Sequence, residues 1–235
     1  MTSAGVIDDY VTGLSHTLRG PRGPKLDMIT EARDSLLDTA EALEGEGLDR
    51  AEAERIAVEE FGPIDEIAPG YQEGLSISAG RRLACLLFLS VPLTSLMWSL
   101  IWRVLPVDPT AYATWPVWFV SVARGLDILQ LSGGALSGVA LVALGRGLRR
   151  IRRPRLVTRS LAVLVYVMLP VTLALSTALA YGSKQPEGFA THPLVIVVLL
   201  TSFTSWLLQL YCATRCMRLT RREPVTTRLK DAVAA

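Results

Sequence analysis

The chain has 235 residues, 50% of them hydrophobic and 20% charged, with three cysteines and two histidines. Its mean hydropathy of +0.36 suits a membrane protein with a soluble appendage rather than a soluble globule, and two histidines far apart leave little for metal or general-base chemistry. The net charge of +2 hides a division: residues 1–80 hold seventeen acids against six bases, a net −11, and residues 81–235 eighteen bases against five acids, a net +13, so the two parts sit in different surroundings and the acidic one is repelled by nucleic-acid phosphates.

Residues 1–75 read as a small acidic helical domain. Ile7, Tyr10, Val11, Leu14 and Leu18 mark one face of a helix that stops at Gly20, and Gly20-Pro21-Arg22-Gly23-Pro24 reads as a turn. A second amphipathic run turns Leu26, Ile29, Leu36, Leu37, Ala40 and Leu43 inward and Asp27, Glu31, Asp34, Asp38 and Glu41 mostly outward, ending at Gly45-Glu46-Gly47. Asp49 with Glu52 resembles a capping box for a third helix, with Ala53, Ile56, Ala57 and Phe61 on its apolar face and Gly62 closing it. A shorter fourth helix covers about Ile64 to Leu75, weakened by Pro69-Gly70. So small a domain buries a low fraction of its surface and calls for the membrane, a partner or self-association. The five acids of helix two are the candidate partner-binding face, with a merely solvated face as the alternative. His16 reads as a surface or boundary histidine, or a pH sensor.

The stretches Ile7-Asp8-Asp9-Tyr10-Val11, Leu18-Arg19-Gly20-Pro21-Arg22, Glu31-Ala32-Arg33-Asp34 and Gly47-Leu48-Asp49-Arg50-Ala51-Glu52-Ala53-Glu54, running on to Phe61-Gly62-Pro63-Ile64-Asp65-Glu66-Ile67-Ala68, carry a resemblance. Over about residues 5–75 the chain resembles the permease prefix domain, also called the HAAS signalling domain, of high-GC Gram-positive bacteria. The resemblance implies a cytoplasmic helical module fused to a variable membrane segment and associated with a PadR-type transcription regulator or a permease. It brings no catalytic residues.

Gly74 to Gly80, GLSISAG, reads as a short flexible tether, with residues 76–82 separating the domains. Four apolar runs follow, about 83–105, 116–145, 160–181 and 194–213, each of the length a ~30 Å hydrocarbon core requires. They make a transmembrane domain over 83–214, ahead of a basic cytoplasmic tail, 215–235. The first apolar run starts only at Leu83, after acidic amphipathic sequence, so the first span is expected to serve as the targeting signal in place of a cleavable leader.

The run Arg146 to Arg159 holds seven arginines and no acid. Basic residues in short loops face the cytoplasm. That places this loop inside, and with it both termini, in the cell membrane. Arg149, Arg150, Arg152 and Arg153 are candidates for a latch that pairs either with anionic lipid, at about 1 kcal/mol per charge, or with the acidic domain. Arg124 and Asp127, three apart in the second run, can neutralise each other as an interfacial pair, or mark an intramembrane ion or substrate site. Gly133, Gly134, Ser137 and Gly138 permit close helix approach, within the bundle or in a homo-oligomer. Cys85, Cys212 and Cys216 fall at the reducing side, where a disulfide is not expected. Val91-Pro92-Leu93-Thr94 matches Leu169-Pro170-Val171-Thr172, and Thr114-Trp115-Pro116-Val117 matches Thr191-His192-Pro193-Leu194, a hint of two parallel hairpins, or a coincidence among many prolines. On that pattern the threonines cap the returning helices, and Pro92 and Pro170 kink the outgoing ones.

The expectation is therefore an all-α protein: a small cytoplasmic helical bundle followed by a four-helix transmembrane bundle. No phosphate loop, H-E-x-x-H or G-x-S-x-G motif is present, so neither enzyme activity nor a cofactor or metal is expected. Two functions stay open: a membrane-anchored regulatory protein whose cytoplasmic domain binds a protein partner, and a permease or channel component, for which Arg124, Asp127, Gln130 and Gln209 are the support.

Overall fold

The computed structural model describes residues 5–105, 115–145, 154–183 and 188–220. Among these residues there are seven helices and no strand: α1 Val6–Thr17, α2 Arg22–Gly45, α3 Arg50–Phe61, α4 Ile64–Val104, α5 Phe119–Gly145, α6 Pro154–Gly182 and α7 Pro193–Thr220. The chain divides into two units, Met1–Ala79 and Gly80–Ala235, with the boundary inside α4.

In the first unit α1 buries Ile7, Tyr10, Val11 and Leu14, the face its spacing predicts, with Leu18 buried just beyond its end. Asp8 and Asp9 lie in its first turn, where carboxylates complement the helix dipole, and Asp8 pairs with Arg33 of α2 at 2.6 Å. Helix α2 begins at Arg22, so residues 22–24 are helical rather than a turn. Pro24 falls in the first turn, where its missing N–H has no helical partner to lose. Leu26, expected inward, is 63% exposed; Met28 packs against the core at that level instead. Ala32, Leu36 and Ala40 form the buried line of α2.

The end of α2 is a Schellman motif. Leu48 N–H reaches Leu43 O at 3.3 Å and Gly47 N–H reaches Glu44 O at 2.9 Å, and Gly47 takes φ +100°, open to glycine at little cost. Asp49 caps α3, its side chain accepting from Ala51 N–H at 3.3 Å. Glu52 does not complete a capping box; it lies bidentate on Arg55, at 2.7 and 3.0 Å. Ala53 and Ala57, small enough for close approach, are buried against the core.

The first turns of α4 complete this unit with Ala68 and Leu75. Gln72 exchanges two hydrogen bonds with the backbone of Arg19, at 2.9 and 2.8 Å. The stretch expected to be a flexible tether is helical, and its glycines are there for fit. A Cβ on Gly74 would lie 2.7 Å from the Met28 methyl, and one on Gly80, in the second unit, would collide with Thr158 Oγ1 and meet Leu144 at 3.1 Å.

The second unit is a four-helix arrangement in which each helix packs antiparallel to the next. Phe88 faces Gly138 and Ser95 meets Gln130, running α4 against α5. Gly133 receives Met168, and Gly182 receives Trp118 and Phe119, running α5 against α6. Ser90 meets Gln209 and Trp98 meets Ser202, running α7 back along α4. The four long helices are apolar enough to cross a membrane, and only 17–28% of each apolar stretch is buried. The remaining leucines, valines and isoleucines face outward in a continuous coat that a bilayer, not water, accommodates.

The described spans exceed their expected bounds at two ends. Helix α6 starts at Pro154, six residues before the expected 160, and α7 runs to Thr220, taking Arg215 and Arg218 out of the tail and into the helix. The cap of α7 is His192, whose Nδ1 accepts from Leu194 N–H at 3.3 Å, while Thr191 bonds back to Gly188 O at 3.0 Å. Thr114, its expected counterpart, lies outside the described residues.

Candidate functional sites

Five carboxylates run along one exposed stripe of α2. Asp27, Glu31, Asp34, Asp38 and Glu41 repeat at alternating four- and three-residue steps, which on a helix keeps them in line. Asp27, Glu31, Asp34 and Asp38, with Thr30 and Ser35 between them, line a shallow open depression. Among the described residues none of the five is in an ion pair. Arg33, beside Asp34 in sequence, is turned to Asp8. The contrast with α3 is direct: there Glu52 and Glu59 both hold Arg55, and the hydrogen bond from Arg55 keeps the Glu52 carboxyl below the usual range. The α2 stripe is thus a row of charges without internal neutralisation.

The second candidate lies inside the four-helix unit. Gln209 Nε2 donates to Ser90 Oγ at 2.9 Å, both side chains buried. One to two turns along α4, Ser95 Oγ is bonded to Gln130 Oε1, and Trp98 Nε1 donates to Ser202 Oγ at 3.3 Å. Thr94, between them, returns its hydroxyl to the carbonyls of Ser90 and Val91, at 2.9 and 3.0 Å. Away from water each of these groups needs a protein partner, and α4 supplies the partners from one face to both α5 and α7. Sequence reading singled out Gln130 and Gln209 but not their partners Ser95 and Ser90, nor the bond from Trp98, read as an interfacial aromatic, to Ser202. Positions 90, 94, 95 and 98 follow the helical period inside an apolar run, and that was the available signal.

Compared with protein-family models, curated proteins and solved structures, the chain matches none.

Arg149, Arg150, Arg152 and Arg153 lie outside the described residues. Arg124 and Asp127 are both exposed on α5 and form no salt bridge with each other; Gly125 between them and the outward face give each side chain room to extend separately. His16 is exposed. Cys85 is exposed, Cys212 half-buried and Cys216 buried, all as free thiols. Among the described residues no three His, Cys, Asp or Glu side chains cluster as a metal site would require.

Proposed function

We propose that this chain is a membrane-anchored regulatory protein that acts by binding rather than by catalysis. Its first unit is a permease-prefix-type module on the cytoplasmic side, and the acidic stripe of α2 docks a basic surface of a protein partner, for which a PadR-type regulator is the leading candidate. The carrying observation is that stripe: five exposed carboxylates on one helix, none of them neutralised by a neighbouring side chain. Two further features support the reading. The resemblance over residues 5–75 falls within the unit Met1–Ala79, which has its own apolar core. The basic residues Arg81 and Arg82, where α4 enters the second unit, Arg155 and Arg159 at the start of α6, and Arg215 and Arg218 near the end of α7 belong to one level of that unit, the distribution that the positive-inside rule assigns to the cytoplasm. A conduction role draws no help from Gln130 and Gln209, whose amides are engaged by Ser95 and Ser90.

The test is binding of the full chain, in nanodiscs, to the purified PadR-type regulator encoded nearest to it. Binding is expected to weaken with salt, and to fall at least about tenfold in the variant D27N/E31Q/D34N/D38N/E41Q, given the few-fold worth of each exposed charge pair. A regulator that binds both proteins equally at every salt concentration removes the acidic stripe from the account.

A further inference from the structure

Helix α4 carries the hydrogen-bonding residues of the internal seam twice. Ser90 meets Gln209, Ser95 meets Gln130 and Trp98 meets Ser202. Four residues beyond each, close to one helical turn, stand Thr94, Ser99 and Trp102. Behind each hydroxyl is another hydroxyl, and behind the indole another indole. We propose that α4 is a one-turn ratchet. A step of ~5.4 Å toward its own N-terminus hands Gln209 to Thr94, Gln130 to Ser99 and Ser202 to Trp102, so no polar group on α5 or α7 is left without its kind of partner. In an apolar medium that equivalence is what makes a second register a state rather than a barrier, because water cannot fill in for a lost partner.

The apolar positions largely tolerate the same step. Leu83 and Leu87 are both buried, so Leu87 enters a leucine's seat and Val91 follows it. Ile101, packed with Phe189, Val195 and Val198, is succeeded by Leu105. Two seats resist. Gly80 lies where a Cβ would collide with Thr158, and Ala84 must enter it. The fully buried seat of Ala84 must take Phe88, now half-exposed over Gly138. Trp102 also gives up its stack on Phe189, at 5.4 Å between ring centres, and the Trp98 indole N–H gives up Ser202. These four costs make the described register the resting one. In the described register the Thr94 hydroxyl rests on its own helix, and Ser99 is exposed. The inference does not depend on which partner the acidic stripe binds.

The full chain, with Cys85, Cys212 and Cys216 replaced by alanine, is spin-labelled at Leu100→Cys on α4 and Leu210→Cys on α7, both outward-facing, and reconstituted in nanodiscs. Pulsed dipolar spectroscopy reads the separation. The resting register gives one distance. Two variants are expected to populate a second distance, shorter by several ångströms and at most the ~5.4 Å of one turn: Phe88→Ala, which removes the ring that blocks the Ala84 seat, and Ser90→Ala/Ser95→Ala/Trp98→Phe, which withdraws the first set of partners. Adding Thr94→Val/Ser99→Ala/Trp102→Phe to the triple variant abolishes the second distance. An unchanged single distance in Phe88→Ala and in the triple variant overturns the ratchet. Should the triple variant not fold, Phe88→Ala, a single truncation of a ring that is 45% exposed and otherwise rests on Gly138, decides alone.

Discussion

Tyr10 ties α1 to the end of α3 through one atom: its phenol donates to Gly62 O at 2.8 Å while its ring stands edge-on to Phe61 at 5.9 Å. Tyr10→Phe keeps the ring and removes the bond, at an expected cost of about 1 kcal/mol. By hydrogen exchange of the full chain in nanodiscs, amides of residues 32–57 that open with the whole unit should then exchange roughly fivefold faster. Burial, and secondarily the nearby Tyr71, hold the Tyr10 phenol above its ordinary value of 10.0. A folded-state value raised above the unfolded one means the contribution is complete below the unfolded value and is lost as pH rises through the folded one. The unit should therefore lose protection above pH about 10, and Tyr10→Phe should flatten that alkaline limb. An equal loss in both proteins removes Tyr10 as its source. Glycines tell a similar single-residue story. Gly47 was legible as a helix end because a glycine closing an amphipathic run favours the left-handed turn, and its φ of +100° agrees.

Among elements, α4 departs most from its sequence reading. Periodicity found the buried faces of α1 and α3 and the apolar runs, because those depend on the residue pattern of one segment. It could not tell that the glycines of 74–80 are contact surfaces, since the reason for them sits on other helices, in Met28 for Gly74 and in Leu144 and Thr158 for Gly80. Pro21-Arg22-Gly23-Pro24 misled for the opposite reason: proline breaks a helix interior but suits its first turn, and the start at Arg22 was not marked by a capping side chain. The polar seam was half legible, because a glutamine in an apolar run stands out and a serine does not. Gln209→Leu removes the donor to Ser90 and should destabilise the second unit by about 0.6–1.7 kcal/mol, the range for a side-chain hydrogen bond between membrane helices, measured by steric-trap unfolding in bicelles. Gln209→Leu as stable as the parent would mean that the Ser90 bond contributes nothing net.

For the molecule as a whole, the division into an acidic and a basic part was plain from charge alone, and the unit boundary at Ala79 and Gly80 falls at that division. Which cytoplasmic or outer side each end occupies follows from the proposed sidedness, and thiol labelling of whole cells tests it. In the protein without native cysteines, Ala190→Cys, before α7, should react with a membrane-impermeant maleimide in intact cells, and Arg218→Cys, near the end of α7, only after lysis. Reaction of Arg218→Cys in intact cells would invert the arrangement and place the acidic stripe away from any cytoplasmic regulator.

Helix α4 has Arg81 and Arg82 before its apolar stretch and Trp98 and Trp102 near its far end. Guanidinium groups and indoles both settle at the headgroup level, so the helix is pinned twice, with Arg82 and Trp102 twenty residues or ~30 Å apart. In its resting register a rod anchored at both interfaces matches one hydrocarbon depth. In acyl chains that are too short or too long for that interval, the mismatch bears on this helix, as tilt or as axial stress. Lipid chain length is thus a physical variable that acts on this helix directly.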